Sequence, residues 1–144
     1  MKKMLWALAL MFVSLTAMAQ SAGDKIVGTY RAVQDGNVSK VKITKVGDGY
    51  RAQICWLEQP NNADGTPKLD TKNSDKAKRG VRADQIVLIE RVTYKDGVWS
   101  DGKIYDPTDG NTYTVSIKFK DAKTLAVTGS LLFFKETVYW TKLE

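Results

Sequence analysis

Short runs in which apolar and polar residues alternate make up most of the chain after residue 26. In the clearest of them Tyr113, Val115, Ile117 and Phe119 alternate with threonine, serine and lysine. A period of two predicts a strand with one side in a core and the other in water, as antiparallel sheets allow. Turn sequences rich in glycine and aspartate separate most of the runs. The predicted strands cover residues 27–33, 38–46, 50–57, 85–94, 98–105, 112–120, 124–131 and 136–143.

This spacing predicts an all-β fold: one antiparallel meander of about eight strands that closes into a small barrel or folds into a sandwich. Residues 86–89 are apolar in succession, which predicts a strand covered on both faces. Ala52, Ile54 and Trp56 are predicted to share the buried face of the third strand. Cys55 lies in the same apolar run, so we expect a small buried hydrophobe rather than a reactive thiol.

A long polar connection, residues 58–84, separates the third and fourth strands and is rich in proline, asparagine, aspartate and lysine. Connections of this length are uncommon in compact domains and often act as lids or binding loops, although a plain surface excursion fits equally well. The segment from Asp70 to Arg79 is a candidate short charged helix, with Asn73 or Ser74 as its N-cap. Asp70 and Asn73 could instead anchor the loop to the barrel, through Arg79 or Arg82.

The N-terminus has the pattern of a cleavable export signal, residues 1–19. Two lysines precede an apolar run from Met4 to Ala17, and Ala17-Met18-Ala19 supplies the small residues of a cleavage site. The run is shorter than the roughly 20 residues that span a bilayer, so no transmembrane span is expected in the mature chain. The sequence therefore predicts one mature domain, residues 20–144, in the periplasm or secreted.

The amino-acid composition excludes several classes of catalytic and metal site. The mature chain would carry 20 basic and 16 acidic residues, a mild excess that favours a solvated surface over a nucleic-acid partner. The sequence has no histidine, which excludes Ser-His-Asp and Cys-His catalysis and histidine-based metal sites. The single cysteine excludes an internal disulfide. We expect no enzyme activity, no cofactor and no metal.

One cluster of oxygen ligands follows the fifth strand, where Asp101, Asp106, Asp109 and Asn111 are close in sequence. A cation such as calcium needs roughly six to eight oxygens from a flexible loop, and this spacing does not match a known calcium loop. Proline, aspartate and glycine in residues 106–110 are typical of a turn. The sequence therefore predicts a turn here and no metal site.

Aromatic residues are the remaining candidates. They are either barrel core or the lining of a pocket, because small barrels can enclose one small ligand. Trp99, Asp101, Lys103 and Tyr105 alternate along one strand, so they are predicted to share one face. The candidate ligand-binding residues are Tyr30, Trp56, Asp70, Asn73, Trp99, Asp101, Lys103, Tyr105, Tyr113 and Trp140.

Several motifs together resemble one protein family. The central one runs from Trp99 to Pro107 and continues with Gly110 and Tyr113; the others are Gly28-Thr29-Tyr30, Tyr50 to Glu58 with Pro60, Asp70-x-x-Asn73-x-Asp75, and Trp140-Thr141-Lys142. The chain is similar over nearly all of its mature length to the DUF2147 family of exported bacterial proteins of unknown function. It departs from the usual family pattern at Tyr30, at Ala83-Asp84, at Thr128 and at Lys135-Glu136, where the family carries a tryptophan, a glycine and two arginine-containing motifs.

The resemblance implies a closed lipocalin-like or calycin-like barrel and places it ahead of a sandwich. It implies no established activity. We expect a monomeric, non-catalytic binding module for a small apolar or amphipathic molecule or a cell-envelope component. The alternative is a protein that engages an envelope protein through an edge strand or through residues 58–84.

Overall fold

The computed structural model describes residues 22–144, so the predicted export signal lies outside the described residues. Eight antiparallel strands form a closed barrel in which each strand pairs with its neighbours in chain order and the last returns to the first. The barrel and the meander are confirmed, and the sandwich is excluded. The strands are β1 Gly28–Gln34, β2 Asn37–Val46, β3 Gly49–Leu57, β4 Val87–Lys95, β5 Val98–Asp106, β6 Asn111–Phe119, β7 Thr124–Leu131 and β8 Phe134–Lys142. Among residues 22–144 no helix has the length and apolar character needed to cross a membrane.

One end of the barrel is closed by the segment before β1, which ends in a 3₁₀ turn at Asp24–Ile26. Three aromatic side chains hold it. The Tyr30 hydroxyl donates to the Ile26 carbonyl at 2.8 Å, the Trp99 indole N–H to the Gly23 carbonyl at 3.1 Å, and the Tyr50 hydroxyl to Asp24 at 2.6 Å. Apolar side chains fill the barrel beneath this plug, so this end has no opening.

At the other end of the barrel, the pairing between β1 and β8 is incomplete. Only Tyr30 to Ala32 of β1 pair with β8, whereas β7 and β8 pair along their whole length. Val33 and Gln34, the last two residues of β1, therefore have no partner on β8, and the two strands separate there. We call this end, with the β1–β2, β5–β6 and β7–β8 turns around it, the open end.

A bulge in β3 changes which residues face the core. Ile54 lies opposite Val41 and Trp56 opposite Lys40, so Cys55 is an extra residue with no partner in the ladder. The prediction that Trp56 shares the buried face with Ala52 and Ile54 is wrong. Trp56 lies outside the barrel, with the Lys40 ammonium 4.8 Å from its ring centroid. The predicted burial of Cys55 is also wrong, because the bulge turns its thiol into solvent.

A second bulge, at Asp101 in β5, has the same effect. Trp99 lies opposite Ile117 and Gly102 opposite Val115, a step of three residues on β5 against two on β6. Asp101 takes the extra position with a φ of 59°. The predicted shared face of Trp99, Asp101, Lys103 and Tyr105 is therefore wrong: Trp99 is inside, while Lys103 and the Tyr105 ring are on the outer wall.

The connection between β3 and β4, which we call the β3–β4 loop, is folded without a regular helix. The predicted helix from Asp70 to Arg79 is wrong: only a 3₁₀ turn forms, at Lys76–Lys78, and its N-cap is Asp75 rather than Asn73 or Ser74. The Asp70 amide donates to the Val81 carbonyl at 2.9 Å, so the chain between them must reverse within a few residues. A continuous helix cannot satisfy that closure.

The run at residues 86–89 behaves as predicted. Ile86 and Ile89 are buried, and Val87 and Leu88 are half-buried.

Candidate functional site

A cavity of about 130 Å³ lies inside the barrel at the open end. It exists because several inward positions near this end carry small side chains. Ala32 on β1, Ser39 on β2 and Gly129 on β7 line it, whereas the same strands carry tyrosine, isoleucine and leucine deeper in the barrel. Larger apolar lining comes from Val41, Ile54, Leu88, Ile104, Val127 and Val138.

Trp140 forms the floor of the cavity. It is 4% exposed and lies opposite Ala32 on one side and Leu125 on the other. Below it the core is solid. Trp99, fully buried, packs against Tyr94 and Phe119 at centroid distances of 4.7 and 5.7 Å. The opening is therefore confined to one end of the barrel.

The mouth of the cavity is polar and acidic. Asp106, at the end of β5, accepts hydrogen bonds from Gln34 Nε2 at 3.3 Å and from the Thr108 amide and hydroxyl at 2.9 and 2.6 Å. Glu136, on β8 opposite Gly129, also lines the mouth. These two carboxylates are the charged groups of the lining, which contains no lysine or arginine among the described residues.

Tyr113 forms part of the cavity rim on β6. Its ring centroid is 6.4 Å from that of Phe134. Its hydroxyl donates to Asp109, and this hydrogen bond raises the pKa of the phenol. The contact fixes the ring at the edge of the cavity and joins the β5–β6 turn to the wall.

The predicted site residues fall into three places. Tyr113 and Trp140 line the cavity, as does part of Tyr105. Tyr30 and Trp99 belong to the core at the closed end. Outside the barrel lie Trp56, Asp70, Asn73, Asp101 and Lys103.

Asp70 anchors the β3–β4 loop to the outer wall. It is 4% exposed, and its carboxylate accepts from the Tyr105 hydroxyl at 2.7 Å and from Asn73 Nδ2 at 2.8 Å. Burial, and then the hydrogen bond to Asp70, raise the pKa of Tyr105. The anchoring role expected for Asp70 and Asn73 fits these contacts, but the barrel partner is Tyr105.

Arg79 and Arg82, the two arginines expected to anchor the loop, contact other groups instead. Arg79 donates to the Asn73 carbonyl at 2.7 Å, and Arg82 pairs with Asp84 at 2.9 Å. Two grooves of about 530 and 600 Å³ lie along the loop, but exposed polar and charged side chains form much of their walls.

The β5–β6 turn is built as the sequence predicts. Asp106 caps Thr108, the Asp109 carboxylate accepts from the Asn111 amide at 2.8 Å, and Gly110 has a φ of 76°. Over residues 22–144 no group of three or more histidine, cysteine, aspartate or glutamate side chains is placed to hold a metal ion.

Sequence reasoning missed Glu136 and the small inward residues. The signal was present for Ala32, Ser39 and Gly129, since small side chains at inward strand positions predict space. It also missed an apolar hairpin tip, Leu131–Phe134, between β7 and β8. Leu132 is 93% exposed and Phe133 is fully exposed. Four apolar residues in succession at a turn were the signal for that tip.

Comparison with known proteins agrees with this architecture. The family model described as "Uncharacterized protein conserved in bacteria (DUF2147)" matches residues 28–142. Among solved structures, HP1028 from Helicobacter pylori, described as belonging to the lipocalin family, superposes with a TM-score of 0.66 at 22% identity. The match covers 82% of each chain. No curated protein matches the sequence.

Proposed function

Since the chain belongs to the DUF2147 family of uncharacterised bacterial proteins and folds as a lipocalin-like barrel, we propose that it is a non-catalytic binding module for a small apolar or amphipathic molecule. It functions in the periplasm or outside the cell, a localisation that the export-signal pattern of residues 1–19 supports. The bound group enters the cavity at the open end.

The single observation that carries this proposal is the apolar cavity with a polar mouth. At about 130 Å³ it is close to the roughly 150 Å³ of an engineered apolar cavity that stays dry and holds benzene. It is smaller than the roughly 300 Å³ at which pockets for drug-sized ligands begin. The bound part is therefore a ring or a short alkyl segment, and the rest of the molecule extends through the mouth.

The polar groups of the mouth fit binding better than catalysis. General acid–base chemistry needs a group free to exchange a proton with the substrate. Asp106 is already the acceptor for Gln34 and Thr108, so Glu136 has no second free carboxylate beside it. With no histidine in the chain, the cavity offers recognition rather than proton transfer.

Filling the cavity tests the proposal. Ala32→Leu places a larger side chain in the space above Trp140, while Ala122→Leu makes the same change in the exposed β6–β7 turn. Titration with hexan-1-ol, followed by amide chemical shifts, should perturb Gly129, Val138 and the Trp140 indole in the wild type. Ala32→Leu should weaken binding at least tenfold, and Ala122→Leu should leave it unchanged. Shifts spread over the outer wall, or unaffected by Ala32→Leu, would reject the cavity as the site.

A second candidate function is contact with an envelope surface through the apolar tip Leu131–Phe134. The closed barrel gives every strand two neighbours, so the expected edge strand is not available. The β3–β4 loop, the other expected surface, is polar and fastened through Asp70. The tip is convex and exposed, a shape that suits insertion among the acyl chains of a phospholipid surface.

Vesicle sedimentation tests this second candidate. Wild type should sediment with phosphatidylethanolamine–phosphatidylglycerol vesicles, and Phe133→Ser should remain in the supernatant while still binding hexan-1-ol. A wild-type protein that stays in the supernatant rejects the tip as a membrane contact.

A further inference from the structure

The cavity lining is apolar except at its mouth, where both charged groups are carboxylates, Asp106 and Glu136. No cationic side chain lines it within the described residues. Resting on the binding function proposed above, we propose that the ligand is a small cationic amphiphile: an apolar ring or short chain in the cavity and an ammonium group at Glu136.

Glu136 faces the cavity because of its place in the strand. It pairs with Gly129, while Val138 and Trp140, two and four residues further along β8, also line the cavity. Alternation puts Lys135 on the opposite side of the same strand, so the adjacent ammonium does not project into the mouth. The Glu136 side chain makes no ion pair or hydrogen bond with residues 22–144.

The two carboxylates have different roles in this site. Asp106 accepts three hydrogen bonds from the protein and holds the β5–β6 turn, so most of its acceptor positions are filled and it contributes mainly negative potential. Glu136 has its acceptor positions open. An N–H donor from the ligand would therefore meet Glu136 first, with Asp106 favouring the same charge from across the mouth.

The spacing along β8 gives the length of the ligand. Glu136 and Trp140 are four residues apart, or about 13 Å at roughly 3.3 Å per residue. A molecule that reaches from the indole to the carboxylate needs an apolar segment of a few carbons below its head group. This length agrees with the small cavity volume and excludes long-chain lipids as fully enclosed ligands.

The expected preference follows from the charge. Glu136 is exposed, so an ion pair between its carboxylate and an ammonium group is worth about 0.2–1 kcal/mol, which corresponds to about a 1.4-fold to fivefold gain in affinity. A carboxylate head on the same chain meets two like charges and should bind more weakly than a neutral alcohol. Because Glu136 is exposed at the mouth, salt screens the ion pair, and the preference for ammonium should weaken as the ionic strength rises.

Three probes that share one alkyl chain separate the head-group effect from cavity filling. We would titrate wild type with hexylammonium, hexan-1-ol and hexanoate at pH 7 and measure each dissociation constant by calorimetry or chemical shifts. The expected order of affinity is hexylammonium, then hexan-1-ol, then hexanoate, with an advantage of ammonium over alcohol of about twofold to fivefold. Glu136→Gln should remove that advantage and leave the dissociation constant of hexan-1-ol unchanged.

Two further variants complete the test. Glu136→Lys should invert the order so that hexanoate binds best, a gain that a misfolded protein cannot produce. Glu90→Gln, which removes a carboxylate from the outer wall, should keep the wild-type order. An ammonium preference that survives Glu136→Gln, or its absence in wild type while hexan-1-ol binds, would overturn the cationic ligand and leave the binding function standing. Failure of all three probes to bind wild type would instead reject the binding function.

Discussion

Replacing Tyr30 with phenylalanine removes one hydroxyl from the closed end of the barrel and keeps the ring. That hydroxyl donates to the Ile26 carbonyl at 2.8 Å, and Tyr30 has no exposed surface. Water therefore cannot replace the lost donor. Removing one partner of a buried hydrogen bond costs about 1–3 kcal/mol, so we expect the free energy of unfolding to fall by that amount.

Urea denaturation measures this change. For a domain of this size the free energy of unfolding falls by about 2 kcal/mol per molar urea, so Tyr30→Phe should lower the midpoint by about 0.5–1.5 M without altering the slope. Trp99, buried beside the same plug, reports the transition by fluorescence. Tyr139→Phe is the control, since Tyr139 lies on the outer wall and is 51% exposed. Its effect should stay within about 0.5 kcal/mol.

Equal midpoint shifts for the two variants would refute the argument that the Tyr30 hydroxyl fastens the plug. A change in slope without a change in midpoint would also count against it, because that result indicates an altered unfolded or native ensemble.

Alkaline pH gives an independent check on the same residue. Burial raises the pKa of Tyr30 to about 12, while an unfolded tyrosine titrates near 10. A raised folded pKa contributes stability that is complete below pH 10 and is lost as the pH rises toward 12. Tyr30→Phe should therefore lose less stability than wild type between pH 10 and pH 12, as measured by the urea midpoint at each pH. Identical alkaline slopes would show that Tyr30 does not contribute.

Two further substitutions probe the loop anchor and the second bulge. Asp70→Asn presents an amide N–H where the carboxylate accepted from Tyr105 and Asn73, so we expect a loss of about 1–3 kcal/mol and faster tryptic cleavage within the β3–β4 loop; unchanged cleavage would reject the anchor. Gly102→Ala places a methyl group against the Arg91 carbonyl and should destabilise the barrel by more than about 2 kcal/mol. Gly80→Ala, with open space around it, should change stability by less than about 0.5 kcal/mol, and a similar effect at both glycines would contradict the close contact.

Alternation in the sequence predicted the strands closely, because each strand's pattern depends only on its own residues. β6 is the clearest case: Tyr113, Val115 and Ile117 all face inward, as their spacing requires. The first and last strands begin within two residues of their predicted starts. Family resemblance then distinguished a barrel from a sandwich. Periodicity alone could not do so, because strands in both architectures have one buried face and one solvent-exposed face.

The candidate site was predicted less well, and the two bulges explain most of the difference. A bulge depends on two residues facing one on the partner strand, so it is a property of the pairing and not of either strand's sequence. Cys55 and Asp101 each shift the phase of their strand by one position. Residues before each bulge kept their predicted face, whereas Trp56, Lys103 and Tyr105, which follow a bulge, moved to the outer wall.

The same shift in phase helps explain why the cavity lies at one end of the barrel. In β5 the bulge brings Gly102 and Ile104 inward and leaves the Tyr105 ring to bond the loop from outside, so no tyrosine from β5 fills the open end. Small residues on β1, β2 and β7 leave the remaining space, and the incomplete pairing between β1 and β8 gives access to it.

The closed end has the opposite arrangement, with Tyr30, Trp99 and Tyr50 packed inside and hydrogen-bonded to the segment that closes it. Under the proposed binding function, stability and recognition are carried by opposite ends of one barrel. Substitutions at Tyr30 should therefore change the free energy of unfolding but not ligand affinity, and substitutions at Glu136 should do the reverse.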